Sequence, residues 1–112
     1  MELTTIVETL NLDVMTSEGD LSRAVTGVYV SDLLSDVLAH ASEGNLWVTL
    51  QGHPNIVAVA EMKDLSGIVL VNGRTPEDET LQKANEEAIP VLTSELPTFE
   101  LAGKLYGLLG AE

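Results

Sequence analysis

The strongest constraint on this chain lies between Leu46 and Leu92, where three short apolar runs alternate with two stretches that read as helices. The runs are Leu46-Trp47-Val48-Thr49-Leu50, Ile68-Val69-Leu70-Val71 and Pro90-Val91-Leu92. An order of strand, helix, strand, helix, strand demands crossover connections, which are right-handed and build a parallel sheet covered on both faces. In open sheets of this kind ligands bind beyond the carboxyl ends of the strands. That rule singles out Gln51 to Asn55, Asn72 to Pro76 and Thr93 to Pro97 as the place for a site.

The flanks supply the remaining elements. Leu3, Ile6, Val7 and Leu10 follow the i, i+3, i+4, i+7 spacing of an amphipathic helix, with Asn11 as its stop. Leu12 to Thr16 alternates like a strand, and Ala24 to Val30 offers a second one with Gly27 inside it. Ser31 then caps a helix whose apolar stripe is Leu34, Val37, Leu38 and Ala41. Ile56-Val57-Ala58-Val59-Ala60 is strand-like by propensity, but Pro54 opens helices, and a strand there leaves no room for a crossover before Gly67. A buried helix is therefore expected. Thr75-Pro76-Glu77-Asp78 provides a cap, a first-turn proline and acids for a helix reaching about Ala88. Ala102, Leu105, Tyr106 and Leu109 line a last helix that Gly110 closes. The expected fold is α/β: one domain over residues 1–112, three-layer α/β/α, with a mixed or mostly parallel five-stranded sheet.

Charge narrows the partners. With 18 acidic residues against 5 basic ones the net charge is −13, so the basic footprint that phosphate backbones require is missing and no nucleic acid is expected. The same deficit argues against anionic membranes, and no apolar run approaches the ~20 residues of a bilayer span. Met1-Glu2 opens no basic n-region, and a cytoplasmic protein is expected. The absence of cysteine removes disulfides and thiolate chemistry together.

Two blocks carry a resemblance. They are Gly27-Val28-Tyr29-Val30-Ser31-Asp32-Leu33-Leu34-Ser35-Asp36 and Gln51-Gly52-His53-Pro54-Asn55-Ile56-Val57-Ala58-Val59-Ala60. With the element order they make the chain resemble the DRTGG domain family over most of its length. Gly67 to Pro76, followed by Ile89-Pro90-Val91-Leu92, is similar to the N-terminal domain of HPr kinase/phosphorylase. The resemblance implies an α/β/α module, found alone or attached to CBS domains, pyrophosphatases and phosphotransacetylases, that is non-catalytic and in some members forms homodimers. The motif that names the family is reduced to an echo in Arg23, Thr26 and Gly27. Kinase activity is not implied, because no G-x-x-x-x-G-K-[ST] phosphate loop occurs in the chain.

Four residues at the strand ends are the candidate ligand contacts: His53, Asn55, Arg74 and Thr75. His53 and Asn55 sit where a strand hands over to a helix, so imidazole and amide face helix N–H groups; equally, they serve as caps for their own turn. Arg74, one of five cations, suits a bidentate phosphate or carboxylate beside Thr75; equally, it pairs with Glu77 or Asp78. Asp32, Asp36 and His40 recur every four residues, a spacing that holds a metal or forms a solvated face, and the solvated face is expected. Ser31 and Ser35 lack a sequence-adjacent histidine base, so no hydrolase is expected. Trp47 is assigned to the core.

Two functions follow. The first is a non-catalytic regulatory or protein-interaction module without cofactor or metal, homodimeric because the resemblance implies it and because 45% hydrophobic content leaves apolar surface to spare. It would act on an unidentified protein partner or on a second copy. The second is a sensor of a small phosphorylated anion or nucleotide using His53, Asn55, Arg74 and Thr75.

Overall fold

The computed structural model describes residues 1–110. Its strands are β1 (Asp13–Val14), β2 (Gly27–Val30), β3 (Asn45–Thr49), β4 (Gly67–Leu70) and β5 (Val91–Thr93). The helices are α1 (Leu3–Leu10), α2 (Leu34–His40), α3 (Asn55–Met62), α4 (Asp78–Glu86) and α5 (Thr98–Leu105), the last continued by a wider π-helical turn over Tyr106–Gly110. The sheet order is β1-β5-β4-β3-β2. β2 through β5 run parallel, and β1 joins β5 antiparallel, so the sheet is mixed as the sequence pattern requires.

Each crossover moves one strand in the same direction, from β2 to β3 to β4 to β5, so right-handed connections place α2, α3 and α4 on one face. The core confirms this. Val37, Ile56, Val59 and Ala84 from those helices meet Trp47, Ile68, Leu70 and Val91 from the sheet. On the other face Leu3 and Ile6 of α1 and Leu101 and Leu105 of α5 meet Leu46, Val48, Val69, Val71 and Leu92. Successive residues of β3 and β4 thus alternate between two apolar layers, which is why Leu46-Trp47-Val48 and Ile68-Val69-Leu70 are hydrophobic at successive positions and not at every second one.

Residues 56–60 are helical, as expected. Ile56, Val57, Val59 and Ala60 are buried, so packing on the sheet outweighs the β-propensity of three branched side chains. Trp47 is fully buried, and its indole N–H donates to the Ser31 carbonyl at 2.8 Å. Asn11 ends α1 in the left-handed region at φ 53°, which asparagine tolerates better than most residues.

Three local expectations are corrected. Ser31 does not cap α2, which begins at Leu34; its hydroxyl accepts the Leu33 N–H at 3.2 Å inside a tight turn. Thr75 and Pro76 likewise precede α4, whose cap position is Glu77, because the chain first has to cross the end of β3. The last helix starts earlier than its apolar stripe suggested, and Tyr106 lies outside the core.

Residues 15–26, between β1 at one edge and β2 at the other, run beneath the amino ends of the parallel strands. They are held there by the Arg23 carbonyl accepting Leu3 N–H at 3.0 Å, by Leu21 accepting Thr4 N–H at 2.7 Å, and by Thr26 N–H donating to Gly44 at 3.0 Å.

Because Ile56 is fully enclosed between α3 and the sheet, Ile56→Ala should lower unfolding free energy by about 2–5 kcal/mol in urea denaturation. A change below ~1 kcal/mol would contradict this packing.

Candidate functional site

The carboxyl ends of the parallel strands are joined to one another by hydrogen bonds. One Asp32 carboxylate oxygen accepts the Thr49 hydroxyl at 2.8 Å and the Leu50 N–H at 2.7 Å. The Gln51 amide donates to the Asp32 carbonyl at 3.1 Å, so the loop after β2 is fastened to the end of β3. The Gly52 carbonyl accepts the Glu77 N–H at 3.1 Å and the Thr80 hydroxyl at 2.6 Å, fastening the end of β3 to α4. Asn72 and Gly73 turn through positive φ, 59° and 68°, and donate to the Leu96 and Ser94 carbonyls at 2.8 and 3.0 Å. A Cβ built on Gly52 lies 2.9 Å from the Thr75 carbonyl oxygen, so the loops after β3 and β4 touch backbone to backbone and only glycine fits.

The four candidate contacts are distributed over this rim. His53 sits at the opening of α3, where its Nδ1 accepts the Asn55 N–H at 3.0 Å, so the ring serves its own turn. Both residues are exposed and line a shallow groove between α3 and α4 together with Glu61, Glu79, Lys83, Glu86 and Glu87. Four carboxylates against one ammonium make that groove negative. Arg74 and Thr75 are exposed on the loop entering α4 and do not line it. The loops therefore meet, as expected, while the side chains divide into two pairs. Arg74 forms none of the ion pairs among the described residues, which are Arg23–Asp64, His40–Asp36 and Lys83–Glu79; the expected pair with Glu77 or Asp78 is not made.

A second polar cluster lies at the β2 edge. The Tyr29 hydroxyl donates to Asp36 Oδ2 at 2.9 Å, and His40 Nδ1 lies 3.0 Å from Asp36 Oδ1. These contacts hold the Asp36 carboxyl below the ordinary 3.8, the Tyr29 hydroxyl contributing most, then Ser31, with His40 helping further. The same hydrogen bond raises the Tyr29 phenol above its ordinary 10.0. Asp32 is not on α2 at all, so the three-residue ligating face is not built; no group of three metal-ligating side chains occurs among the described residues.

Sequence reasoning missed the role of Asp32, which it placed on a solvated helix face with Asp36 and His40. No local spacing signals it, because the partners of its carboxylate, Thr49 and Leu50, lie at the end of another strand.

The DRTGG domain family model matches residues 5–108. The chain belongs to the DRTGG domain family. Within this DRTGG domain, Arg23, Thr26 and Gly27, the echo of the family's name, lie at the pole opposite the rim: Arg23 donates to Asp64 Oδ1 at 2.9 Å and to the Asp64 carbonyl at 2.8 Å, and Thr26 to the Glu43 carbonyl at 2.8 Å. No curated protein matches the chain. Among solved structures it is similar to the CBS and DRTGG domains of the regulatory region of Clostridium perfringens pyrophosphatase, complexed with the activator diadenosine tetraphosphate. The TM-score is 0.66 at 19% identity, covering 93% of this chain and 45% of that one. The chain thus spans under half the length of that neighbour, and the likeness is one of fold.

Gly52→Ala should destabilise the protein by about 1–3 kcal/mol in denaturant melts, since the opposing atom is backbone and the loops have to separate. In Tyr29→Phe the Asp36 carboxyl should titrate higher in a carbon-detected NMR series, towards 3.8. Because its folded pKa is depressed, Asp36 contributes stability above the unfolded value, which is lost as pH falls through the folded one; Tyr29→Phe should shrink that acid-sensitive part.

Proposed function

We propose that this DRTGG domain is a regulatory module that performs no chemistry of its own and works through contact surfaces as a homodimer. The observation that carries this reading is the rim: the place where an open α/β sheet ordinarily offers a crevice is fastened to itself through Asp32, Gly52, Asn72 and Gly73. A crevice arises where strand order reverses, leaving helices on opposite faces at one end of the sheet. Here β2 to β5 follow one another without reversal, and where α4 and α5 leave the neighbouring strands β4 and β5 on opposite faces, the two loops are fastened together through Asn72 and Gly73. Family membership and the regulatory region named for the structural neighbour support the same reading. Sedimentation equilibrium at micromolar concentration should give twice the 12.0 kDa chain mass, and a clean monomer removes the dimer.

One observation favours the second reading, a nucleotide sensor. Arg74 makes no ion pair among the described residues although Glu77 and Asp78 follow it, so its guanidinium is available to an anion at the rim, beside Thr75, with His53 on the adjoining loop and Asn55 opening α3. The activator named with the structural neighbour, diadenosine tetraphosphate, is the natural probe. In a thermal-shift assay, saturation at 100 times the dissociation constant corresponds to about 2.7 kcal/mol of stabilisation, and Arg74→Ala should abolish the shift. A melting temperature that does not respond to this compound sinks the sensor.

A further inference from the structure

Phe99, the second residue of α5, is 88% exposed, and Tyr106 at the end of the same helix is 69% exposed. Leu101 and Leu105 fill the core from the opposite side, so the Phe99 stripe faces outward. Two glycines continue it at intervals of four, Gly103 and Gly107, and a Cβ built on either meets nothing within 4 Å. One helix face therefore carries an aromatic projection followed by two open notches.

That pattern is its own complement. When a second α5 lies antiparallel across a two-fold axis at Gly103, Phe99 falls opposite the second copy's Gly107, and the two Gly103 positions face each other. The absence of a side chain at Gly103 lets the helices approach closely, so that the rings reach the facing notches.

Charge selects the same occupant. Glu100 and Lys104 are exposed on one flank of α5, and neither takes part in an ion pair among the described residues. In the antiparallel pair each Glu100 comes beside the other copy's Lys104, giving two opposed charge pairs and a contact of zero net charge. A chain at −13 repels its own kind over most of its surface, so a balanced patch is where two copies can meet. The other flank is apolar: a groove between the open edge of β2 and α5 is lined by Val28, Val30, Ala102, Tyr106 and Leu109, and Val30 is 45% exposed.

The geometry points to the outer face of α5, centred on Gly103 and bordered by the Glu100 and Lys104 flank, as the homodimer surface of this domain. This deepens the dimer reading above and rests on it.

The test is sedimentation equilibrium on the full chain and its variants. Phe99→Ser and Gly103→Leu should each weaken dimerisation by roughly tenfold or more. Gly103→Leu fits the open space of the single subunit and replaces a poor helix former, so its circular dichroism should keep the helical signal and the monomer's melting temperature should not fall. Glu100→Lys alone should weaken the dimer although it lowers net charge, and adding Lys104→Glu should restore it. A monomeric parent protein overturns both the dimer and this surface. A dimeric parent indifferent to Phe99→Ser and Gly103→Leu, or a dimer tightened by Glu100→Lys alone, overturns the surface and leaves the dimer standing.

Discussion

The fold depends on three crossovers that all step the same way. Since β2, β3, β4 and β5 are laid down in sequence order, α2, α3 and α4 share one face, and the other is left for α1 and α5. The central strands β3 and β4 are then enclosed on both sides, and Leu46, Trp47, Val48, Ile68, Val69 and Leu70 contribute to both layers apolar burial that offsets chain entropy in a small domain. Trp47 marks the crowded middle of one layer, and its single polar atom is satisfied by the Ser31 carbonyl.

The two poles of the sheet follow from that arrangement. At the amino pole, residues 15–26 pass under the strands on their way from one edge to the other, and Arg23 fastens the strap to Asp64. At the carboxyl pole the loops are fastened to one another through backbone and side-chain hydrogen bonds, even where α4 and α5 leave β4 and β5 on opposite faces. The Asp32 carboxylate and the Gly52 carbonyl each accept two bonds there, which satisfies polar groups that a deeper cleft would leave to a ligand.

Two contrasting surface features lie on the sides of the molecule. The acidic groove beside α3 and α4 opposes anions, whereas the outer face of α5 joins exposed aromatic rings, open glycines and balanced charge. The chain as a whole carries a net charge of −13, so a face on which Glu100 and Lys104 balance stands apart from the acidic remainder.

The sequence by itself determined the fold class, because the apolar runs at 46–50, 68–71 and 90–92 are continuous where a half-exposed strand would alternate, and only crossover helices connect such strands. It also determined α3, through Pro54 and the length of chain before Gly67. Tertiary structure decided the order of the strands and the closure of the rim. Periodicity reports which residues turn inward but not which neighbour a strand takes, so it left the direction of the crossovers open. The same limit explains the candidate site. His53, Arg74 and Thr75 were rightly placed on adjoining loops, with Asn55 opening α3, but whether their side chains converge is set by the contact of Gly52 with Thr75 and by the grip of Asp32 on β3, which are long-range events without a local spacing. Tyr106 was read as core from its interval to Leu105 and Ala102, and it faces outward because Leu101 and Leu105 set the buried side of α5, which the helical rotation carries Tyr106 away from.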